Sequence, residues 1–244
     1  MRLWRAAFAS ALLGVLFIAL GAPAAFAASS DVFDRFDLVA SVDTEGYVQV
    51  TETIVLRFGS SSGRHGLERT LVTREADGDD HDVVYNIDQV SVSSPDPVST
   101  RLDLSDQGNG RNTYLRIRIG SAERTVNSAT ATYVLKYRVQ GLLRDSGDFD
   151  ELYWDLTGSS MPRIVAATAT ITVPGGAQDV FCSVAEPGSS GPCGDGKVAS
   201  SGAAQFTAAN IPTGQLMTVS VKITSGLVSG NTPIRVENAE TAAA

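Results

Sequence analysis

The sequence predicts an all-β protein, an antiparallel β-sandwich of about a dozen short strands. Apolar and polar residues alternate with a period of two in successive runs, as in strands that bury one face. Glycine, proline, asparagine and serine separate these runs. After residue 27, no segment repeats apolar residues at i, i+3, i+4 and i+7 over three turns, so little helix is expected there.

The alternating runs give the expected strands in chain order. They cover residues 36–42, 47–58, 67–72, 83–92, 101–104, 113–119, 129–139, 151–156, 165–173 and 216–223. Turn sequences at residues 43–46 and 108–110 join their neighbouring runs into hairpins. The segment over residues 75–82 is expected to be an acidic loop, and a bulge is expected at Asp88 and Gln89, where the inward phase of the strand shifts.

The chain divides into four segments. Residues 1–27 are expected to be a signal peptide, and residues 28–162 a main β-sandwich. Residues 163–224 supply C-terminal strands with a disulfide hairpin, which allow a second small β subdomain. Residues 225–244 carry several charges and no long apolar run, so we expect a disordered tail that does not span a bilayer.

The first 27 residues have the features of an export signal. Arg2 and Arg5 give a positive start, residues 6–20 are an uncharged apolar stretch, and residues 25–27 place small residues at a cleavage site. A signal helix and an extracellular or cell-surface location are therefore expected. The alternative is an uncleaved membrane anchor, because no charge occurs between Arg5 and Asp31.

The charge balance limits the class of partner. The first 27 residues hold two of the nineteen basic residues and none of the twenty-seven acidic ones, so the remainder carries a formal charge of −10. Such a negative protein is a poor match for nucleic acid or an anionic lipid surface. We therefore expect a protein or another component of the cell envelope as partner, and no cofactor.

Two cysteines, Cys182 and Cys193, lie close together in the sequence. In an oxidising exterior, an even number of cysteines at this spacing predicts one disulfide, here across a hairpin tip. A metal site is the alternative, but neither histidine is nearby and two thiolates alone hold zinc poorly. A redox role for the pair is the other alternative.

Glu52 is the one charged residue on the buried face of the run over residues 47–58. Arg69 is similarly out of pattern in the run over residues 67–72, which is expected to lie beside it. Because a buried carboxylate without a partner costs several kcal/mol, we expect a bidentate ion pair that fixes the register of neighbouring strands. The alternatives are a catalytic Glu52 in a cleft under the His65 loop, or a misphased strand.

Spaced motifs along most of the chain carry a family resemblance. They are residues 45–53, Phe58, residues 66–69, residues 118–120, Tyr133, Tyr137, residues 151–156, Gly158 and a strand ending at Pro174. The pattern resembles the YciQ-like predicted membrane proteins, domain-of-unknown-function family 2207. The resemblance implies an extracytoplasmic β module, normally followed by transmembrane helices, with no established activity. The chain ends before any such helix, and Met161-Pro162 stands where family members tend to have a tryptophan.

Several other motifs suggest chemistry without completing a site. Asp148 and Glu151 lie near Trp154, a combination that a glycan-binding cleft would use. The strand phase turns Glu151 away from Trp154, so Trp154 is expected to be a core anchor rather than a sugar platform. Residues 77–82 could hold calcium but lack the spacing of the helical calcium loop. Residues 59–66 are glycine-rich but lack the lysine of a phosphate-binding loop.

We therefore predict an exported, non-catalytic β-sandwich ectodomain that acts through protein or envelope contacts. No catalytic or metal site is predicted. The rival prediction is a carbohydrate-active enzyme, or a calcium-assisted glycan-binding module, that uses Glu52, Asp148 or Glu151. A cleft holding Glu52, His65 and a further acidic side chain within hydrogen-bond reach would favour the rival.

Overall fold

The computed structural model describes residues 30–59 and 63–238, so the predicted signal peptide lies outside the described residues. The described residues form 16 strands and no helix, which confirms the all-β class and exceeds the expected strand count. They include no helix with the length and hydropathy that crossing a bilayer requires.

The strands follow one another closely along the chain. They are β1 (Val32–Val42), β2 (Tyr47–Arg57), β3 (Gly66–Asp77), β4 (His81–Val84), β5 (Asn86–Ser93), β6 (Leu102–Asn109), β7 (Asn112–Gly120), β8 (Thr130–Gln140), β9 (Leu143–Asp145), β10 (Phe149–Asp155), β11 (Arg163–Thr172), β12 (Asp179–Ala185), β13 (Asp195–Val198), β14 (Ala204–Ile211), β15 (Leu216–Thr224) and β16 (Ile234–Glu237).

Three sheets share one core. A seven-stranded sheet has the order β13-β14-β11-β1-β2-β8-β5, a four-stranded sheet has β12-β15-β10-β9, and a five-stranded sheet has β16-β4-β3-β7-β6. Side chains from all three sheets meet in a single hydrophobic cluster. The expected alternation is borne out in β2, where every second residue from Val48 to Leu56 is buried, Glu52 included.

The predicted hairpins and bulge are confirmed. β1 pairs antiparallel with β2, and β6 pairs antiparallel with β7. The register of β5 against β8 shifts between Asp88 and Ser91, and Gln89 has a positive φ of 55°. A phase change along a strand is therefore a usable sign of a bulge.

One strand pairing departs from a purely antiparallel sandwich. β1 is hydrogen-bonded to β2 on one side and runs parallel to β11 on the other, with Val39 opposite Thr170. Alternation with a period of two specifies which residues face inward, but it does not specify strand direction. The sequence pattern therefore fits both orientations.

The C-terminal strands complete the sheets of the main sandwich. β11, β13 and β14 extend the seven-stranded sheet, and β12 and β15 join β10 in the four-stranded sheet. The strands after Arg163 thus form no sheet of their own, unlike the second subdomain that the sequence allowed. The pairing of β11 with β1 and of β15 with β10 makes the two expected segments parts of one core.

The expected disordered tail contributes a strand. β16 pairs antiparallel with β4, and Arg235 Nε donates a hydrogen bond of 2.6 Å to Asp77 on the β3–β4 hairpin. Ile234 and Val236 alternate with charged neighbours, a pattern too short to stand out in the sequence. The exposed edge of β4 provides the hydrogen-bonding partner that makes so short a strand possible. Residues 239–244 lie outside the described residues.

The expected acidic loop over residues 75–82 is mostly a hairpin. β3 continues to Asp77 and β4 begins at His81. The buried Asp82 accepts a hydrogen bond of 2.7 Å from Arg111 Nε and lies 3.1 Å from Arg74 Nε. These arginines compensate the negative charge and allow the strands to continue.

The cysteines form a disulfide whose position differs from the expected hairpin tip. Cys182 and Cys193 are bonded, with their Cα atoms 5.5 Å apart. Cys182 lies on β12 of the four-stranded sheet, whereas Cys193 precedes β13 of the seven-stranded sheet. β12 and β13 pair with other strands and not with each other. The disulfide therefore links the edges of two sheets.

Candidate functional site

A cleft of about 320 Å³ opens where the three sheets meet. The shortness of β9 accounts for its position. β9 pairs only with residues 150–152 of β10, so residues 153–155 have no strand partner on that side. The gap between this free side of β10 and strand β3 is the cleft.

Five aromatic side chains contribute to the cleft wall, beside aliphatic ones. They are Tyr85, Tyr114, Tyr137, Tyr153 and Trp154. Two arginines, Arg69 and Arg144, also line the cleft, as do the hydroxyl-bearing residues 157, 159 and 160. Tyrosine and tryptophan present a large apolar face together with a polar tip, which makes them effective contact residues for a ligand.

A buried ion pair lies at the base of the cleft. Arg69 Nε donates to Glu52 Oε2 at 3.0 Å, and Arg69 Nη2 donates to Glu52 Oε1 at 2.9 Å. The side chains are 3% and 0% exposed, respectively. A bidentate guanidinium–carboxylate contact of this kind satisfies both charges with directed hydrogen bonds.

The same pair connects all three sheets. Glu52 belongs to the seven-stranded sheet and Arg69 to the five-stranded sheet. Arg69 Nη2 also donates to the carbonyl of Leu156, directly after β10 of the four-stranded sheet, at 3.0 Å. The expectation that the pair joins neighbouring strands is therefore corrected. β3 pairs with β4 and β7, and the contact crosses the interior from sheet to sheet.

Tyr137 completes this cluster from β8. Its hydroxyl donates to Glu52 Oε1 at 2.6 Å, so both oxygens of the buried carboxylate are occupied. Burial, followed by the charge of Glu52, raises the pKa of Tyr137 well above its ordinary value. Burial opposes the charged form of Arg69, yet Glu52 raises the pKa of this guanidinium. The cluster thus holds a neutral phenol and a paired guanidinium.

The remaining carboxylates of the cleft are also hydrogen-bonded. Tyr85 donates its hydroxyl to Glu75 Oε1, and Thr218 Oγ1 donates to Asp155 Oδ1 at 2.6 Å. Burial and the neighbouring Glu75 raise the pKa of Tyr85 above its ordinary value. Arg144, by contrast, places its guanidinium carbon 4.6 Å from the ring centroid of Tyr153.

Trp154 combines the two roles considered for it, that of a core residue and that of a contact residue in a binding cleft. It packs against the hydrophobic cluster with part of its surface exposed, and it also lines the cleft. The residue is therefore both a packing residue and a part of the cleft wall.

The three other candidate residues lie outside this cleft. Asp148 is exposed in the β9–β10 turn, and Glu151 accepts a hydrogen bond from Ser220 Oγ. His65 is exposed, and its Nδ1 lies 2.9 Å from the carbonyl oxygen of Ser121 in a separate groove. The structure therefore does not bring Glu52 and His65 together in one cleft, which was the arrangement that would favour an enzyme.

Sequence reasoning missed Tyr85, Tyr114 and Arg144. Tyr114 alternates with apolar residues in β7 and resembles an ordinary surface tyrosine, and Arg144 follows directly after an apolar pair. Their aromatic or cationic character is the one sign in the sequence that they could bind a ligand. The sequence does not show that they lie together, because three sheets bring them to one cleft. Among the described residues, no group of three or more His, Cys, Asp or Glu side chains is arranged to hold a metal ion.

A comparison with family models identifies a relationship over most of the chain. The model described as "Predicted membrane protein (DUF2207) N-terminal domain" matches residues 33–223. This match confirms the family resemblance inferred from the spaced motifs. No curated protein matches the chain.

Solved structures with a similar arrangement are distant. The M1 zinc metallopeptidase of Deinococcus radiodurans, determined as a mutant with a Tyr-Ser-Ala substrate, is 10% identical, with a TM-score of 0.41 over 79% of this chain and 42% of that chain. A candidate protease of Parabacteroides distasonis is 13% identical, with a TM-score of 0.40 over 80% of this chain and 41% of that chain. This chain thus spans about two fifths of their length. Similarity at this level transfers no function.

Proposed function

This chain belongs to the DUF2207 family of predicted membrane proteins, whose N-terminal domain it carries, and from that premise we propose that it is an extracytoplasmic, non-catalytic binding module. The aromatic cleft between the sheets is the proposed binding site. The ligand or partner is a component of the cell envelope or another exported protein.

The single observation that carries this proposal is that the buried carboxylate of Glu52 is held by hydrogen bonds beneath the cleft and does not line it. Both oxygens of Glu52 accept hydrogen bonds, from Arg69 and Tyr137. Glu52 is 0% exposed and is not among the residues that line the cleft, whereas a general base must lie within hydrogen-bond reach of the substrate proton. Glu52 is therefore suited to holding the sheets in place rather than to proton transfer. The geometry supports recognition by the aromatic walls.

The shape and composition of the cleft also support binding. Its volume is at the lower end of the range for small-ligand sites, which begins at about 300 Å³. Tyr114, Tyr153 and Trp154 offer wide apolar faces with little side-chain entropy to lose on binding. The backbone of β10 at this point is fixed by β15 on its other side, so the wall is preorganised.

Tryptophan fluorescence provides a direct test. The sequence has two tryptophans, and substitution Trp4→Phe leaves Trp154 as the sole reporter in the full chain. The protein is exported from a bacterial host, purified, and titrated with soluble envelope polysaccharide fragments and short peptides. We expect at least one probe to change Trp154 emission saturably. Tyr153→Ala should weaken that probe about 3- to 10-fold.

A matched aromatic control lies outside the cleft. Phe181 on β12 is 52% exposed, so Phe181→Ala removes a surface aromatic and should leave the affinity unchanged. Equal weakening by both alanine variants contradicts the cleft as the site. Conversion of a probe to product that disappears in Glu52→Gln contradicts the non-catalytic role.

A further inference from the structure

The charged side chains that line the cleft differ in the partners that they have. Arg69 is paired with Glu52, Glu75 accepts from Tyr85, and Asp155 accepts from Thr218. Glu75 and Asp155 thus have neutral hydroxyl partners, and among the four charged residues that line the cleft Arg144 is the one whose side chain forms no hydrogen bond or ion pair with the described residues. Its guanidinium has no carboxylate within 4.0 Å among the described residues, and it rests instead against the ring of Tyr153.

Among the described arginines, Arg144 shares this lack of a carboxylate partner with Arg124 and Arg163, whereas most of the others are paired. The described arginines that form ion pairs with carboxylates are Arg35, Arg57, Arg64, Arg69, Arg74, Arg101, Arg111, Arg116, Arg118, Arg138 and Arg235. Arg144 has a carboxylate directly opposite on the next strand, at Glu151, but Glu151 accepts from Ser220 Oγ instead. The chain also carries a formal net charge of −8, so acidic partners for an arginine are plentiful.

The aromatic contact suits Arg144 for binding an anion. A guanidinium that stacks on an aromatic face still presents N–H donors along its edge, in a planar fork that matches a carboxylate. The ring of Tyr153 restricts the side chain, so less conformational entropy is lost when a ligand binds. The remaining wall of the cleft, with Trp154 and Tyr114, is suited to an apolar body.

We infer, on the basis of the proposed binding function, that the cleft takes a ligand with an apolar or aromatic body and a carboxylate. The carboxylate contacts the guanidinium of Arg144 at the mouth of the cleft. The apolar body packs against Tyr114 and Trp154. The terminal carboxylate of a peptide and a free arylalkanoic acid share this chemistry.

The test compares an acid with its neutral amide. The Trp4→Phe protein is titrated at low ionic strength with N-acetyl-L-phenylalanine, N-acetyl-L-phenylalaninamide and 3-phenylpropanoate, and Trp154 emission is followed. We expect N-acetyl-L-phenylalanine to bind about 10-fold more tightly than its amide, in line with a charge-assisted bidentate contact. The preference should decline as salt is added, because this contact is exposed.

Two arginine variants separate the role of Arg144 from general electrostatics. Arg144→Gln should abolish the preference for the acid while the amide binds as before. Arg163→Gln is the matched control, since Arg163 is exposed, lies outside the cleft and donates to Asn210. That variant should retain the full preference. Circular dichroism and thermal unfolding check that both variants fold.

The outcomes distinguish this inference from the proposed function. Tight binding of 3-phenylpropanoate supports a carboxylate ligand of any origin, and selective binding of N-acetyl-L-phenylalanine supports a peptide terminus. If acid and amide bind equally, or if Arg144→Gln keeps the preference, the inference is wrong, while binding in the cleft still stands. If these probes leave Trp154 emission unchanged and polysaccharides and peptides do so as well, the proposed binding site itself is wrong.

Discussion

Arg69 bonds to Glu52 from a different sheet, so their contact joins layers of the protein and not adjacent strands. Because the Arg69 side chain also reaches the carbonyl of Leu156, one guanidinium holds three sheets at the base of the cleft. Removal of either charge leaves the other buried without compensation. The geometry of the cleft and the stability of the fold therefore depend on the same two residues.

Disruption of this pair should be strongly destabilising and strongly coupled. Glu52→Gln and Arg69→Met should each lower the free energy of unfolding by about 3 to 5 kcal/mol. The double variant should lose clearly less than the sum, because it leaves no unpaired charge. Urea unfolding measures all three values. The exposed pair of Arg57 and Asp34 is the control, and Arg57→Met should leave the free energy of unfolding nearly unchanged, because water screens this pair. Additive losses at Glu52 and Arg69 would contradict the coupling.

The buried tyrosines should make the protein sensitive to alkali. Burial raises the pKa of Tyr133 to about 12, and burial together with Glu52 raises the pKa of Tyr137 well above its ordinary value. Above pH 10, unfolded tyrosines lose protons that these folded ones retain. The unfolded state then binds fewer protons than the folded state. The contribution of these tyrosines to the free energy of unfolding should therefore be complete below pH 10 and decline as the pH rises above it.

Two measurements check this pH dependence. Absorbance at 295 nm follows tyrosinate formation in the folded protein, and urea unfolding at a series of pH values gives the stability. Each protected tyrosine adds up to about 1.4 kcal/mol per pH unit to the decline. Tyr137→Phe should reduce the slope. Titration of all six tyrosines near pH 10 in the folded protein would be inconsistent with this account.

Loss of the disulfide should weaken the contact between two sheet edges. The bonded cysteines are 11 residues apart, and closure of a loop of this size contributes about 3 kcal/mol in the chain-entropy account. The double variant of Cys182→Ser with Cys193→Ser should lose about 2 to 4 kcal/mol of unfolding free energy. Hydrogen exchange should show the largest increase in β13, the edge strand next to the bond. An unchanged exchange rate in β13 would contradict the prediction that the disulfide stabilises this edge strand.

Disruption of the pairing between β16 and β4 should expose the edge of β4. Val236→Pro introduces a residue that lacks a backbone N–H and disfavours strand pairing. We expect faster hydrogen exchange in residues 81–84, which pair with β16, and a change in unfolding free energy of less than about 1 kcal/mol. Unchanged protection of residues 81–84 would show that β16 contributes nothing to that edge.

Much of the fold could be predicted because alternation reports which face of a strand is buried. Glu52 and Arg69 stood out as the charged residues on their buried faces, and the phase change at Asp88 and Gln89 marked a bulge. Alternation carries no information about the partner of a strand, so it did not reveal that β1 is parallel to β11 or that β3 lies in a different sheet from β2.

The cleft could not be predicted for a related reason. Its position depends on the short length of β9, which leaves one side of β10 without a partner. Its walls come from strands far apart in the sequence, such as those that carry Tyr85 and Trp154. Tyr137 is in phase with the apolar residues of β8, and its sequence context gives no sign that its hydroxyl meets Glu52.

The parallel contact between β1 and β11 has a consequence for synthesis of the protein. β1 is synthesised long before β11, so the strand that covers its second edge becomes available only when residues 163–172 have been added. Until then the central strand of the largest sheet keeps an open edge that can pair with other chains. Contacts of such long sequence separation also slow folding. We therefore expect the partly folded chain to be most prone to aggregation while β11 is not yet in place.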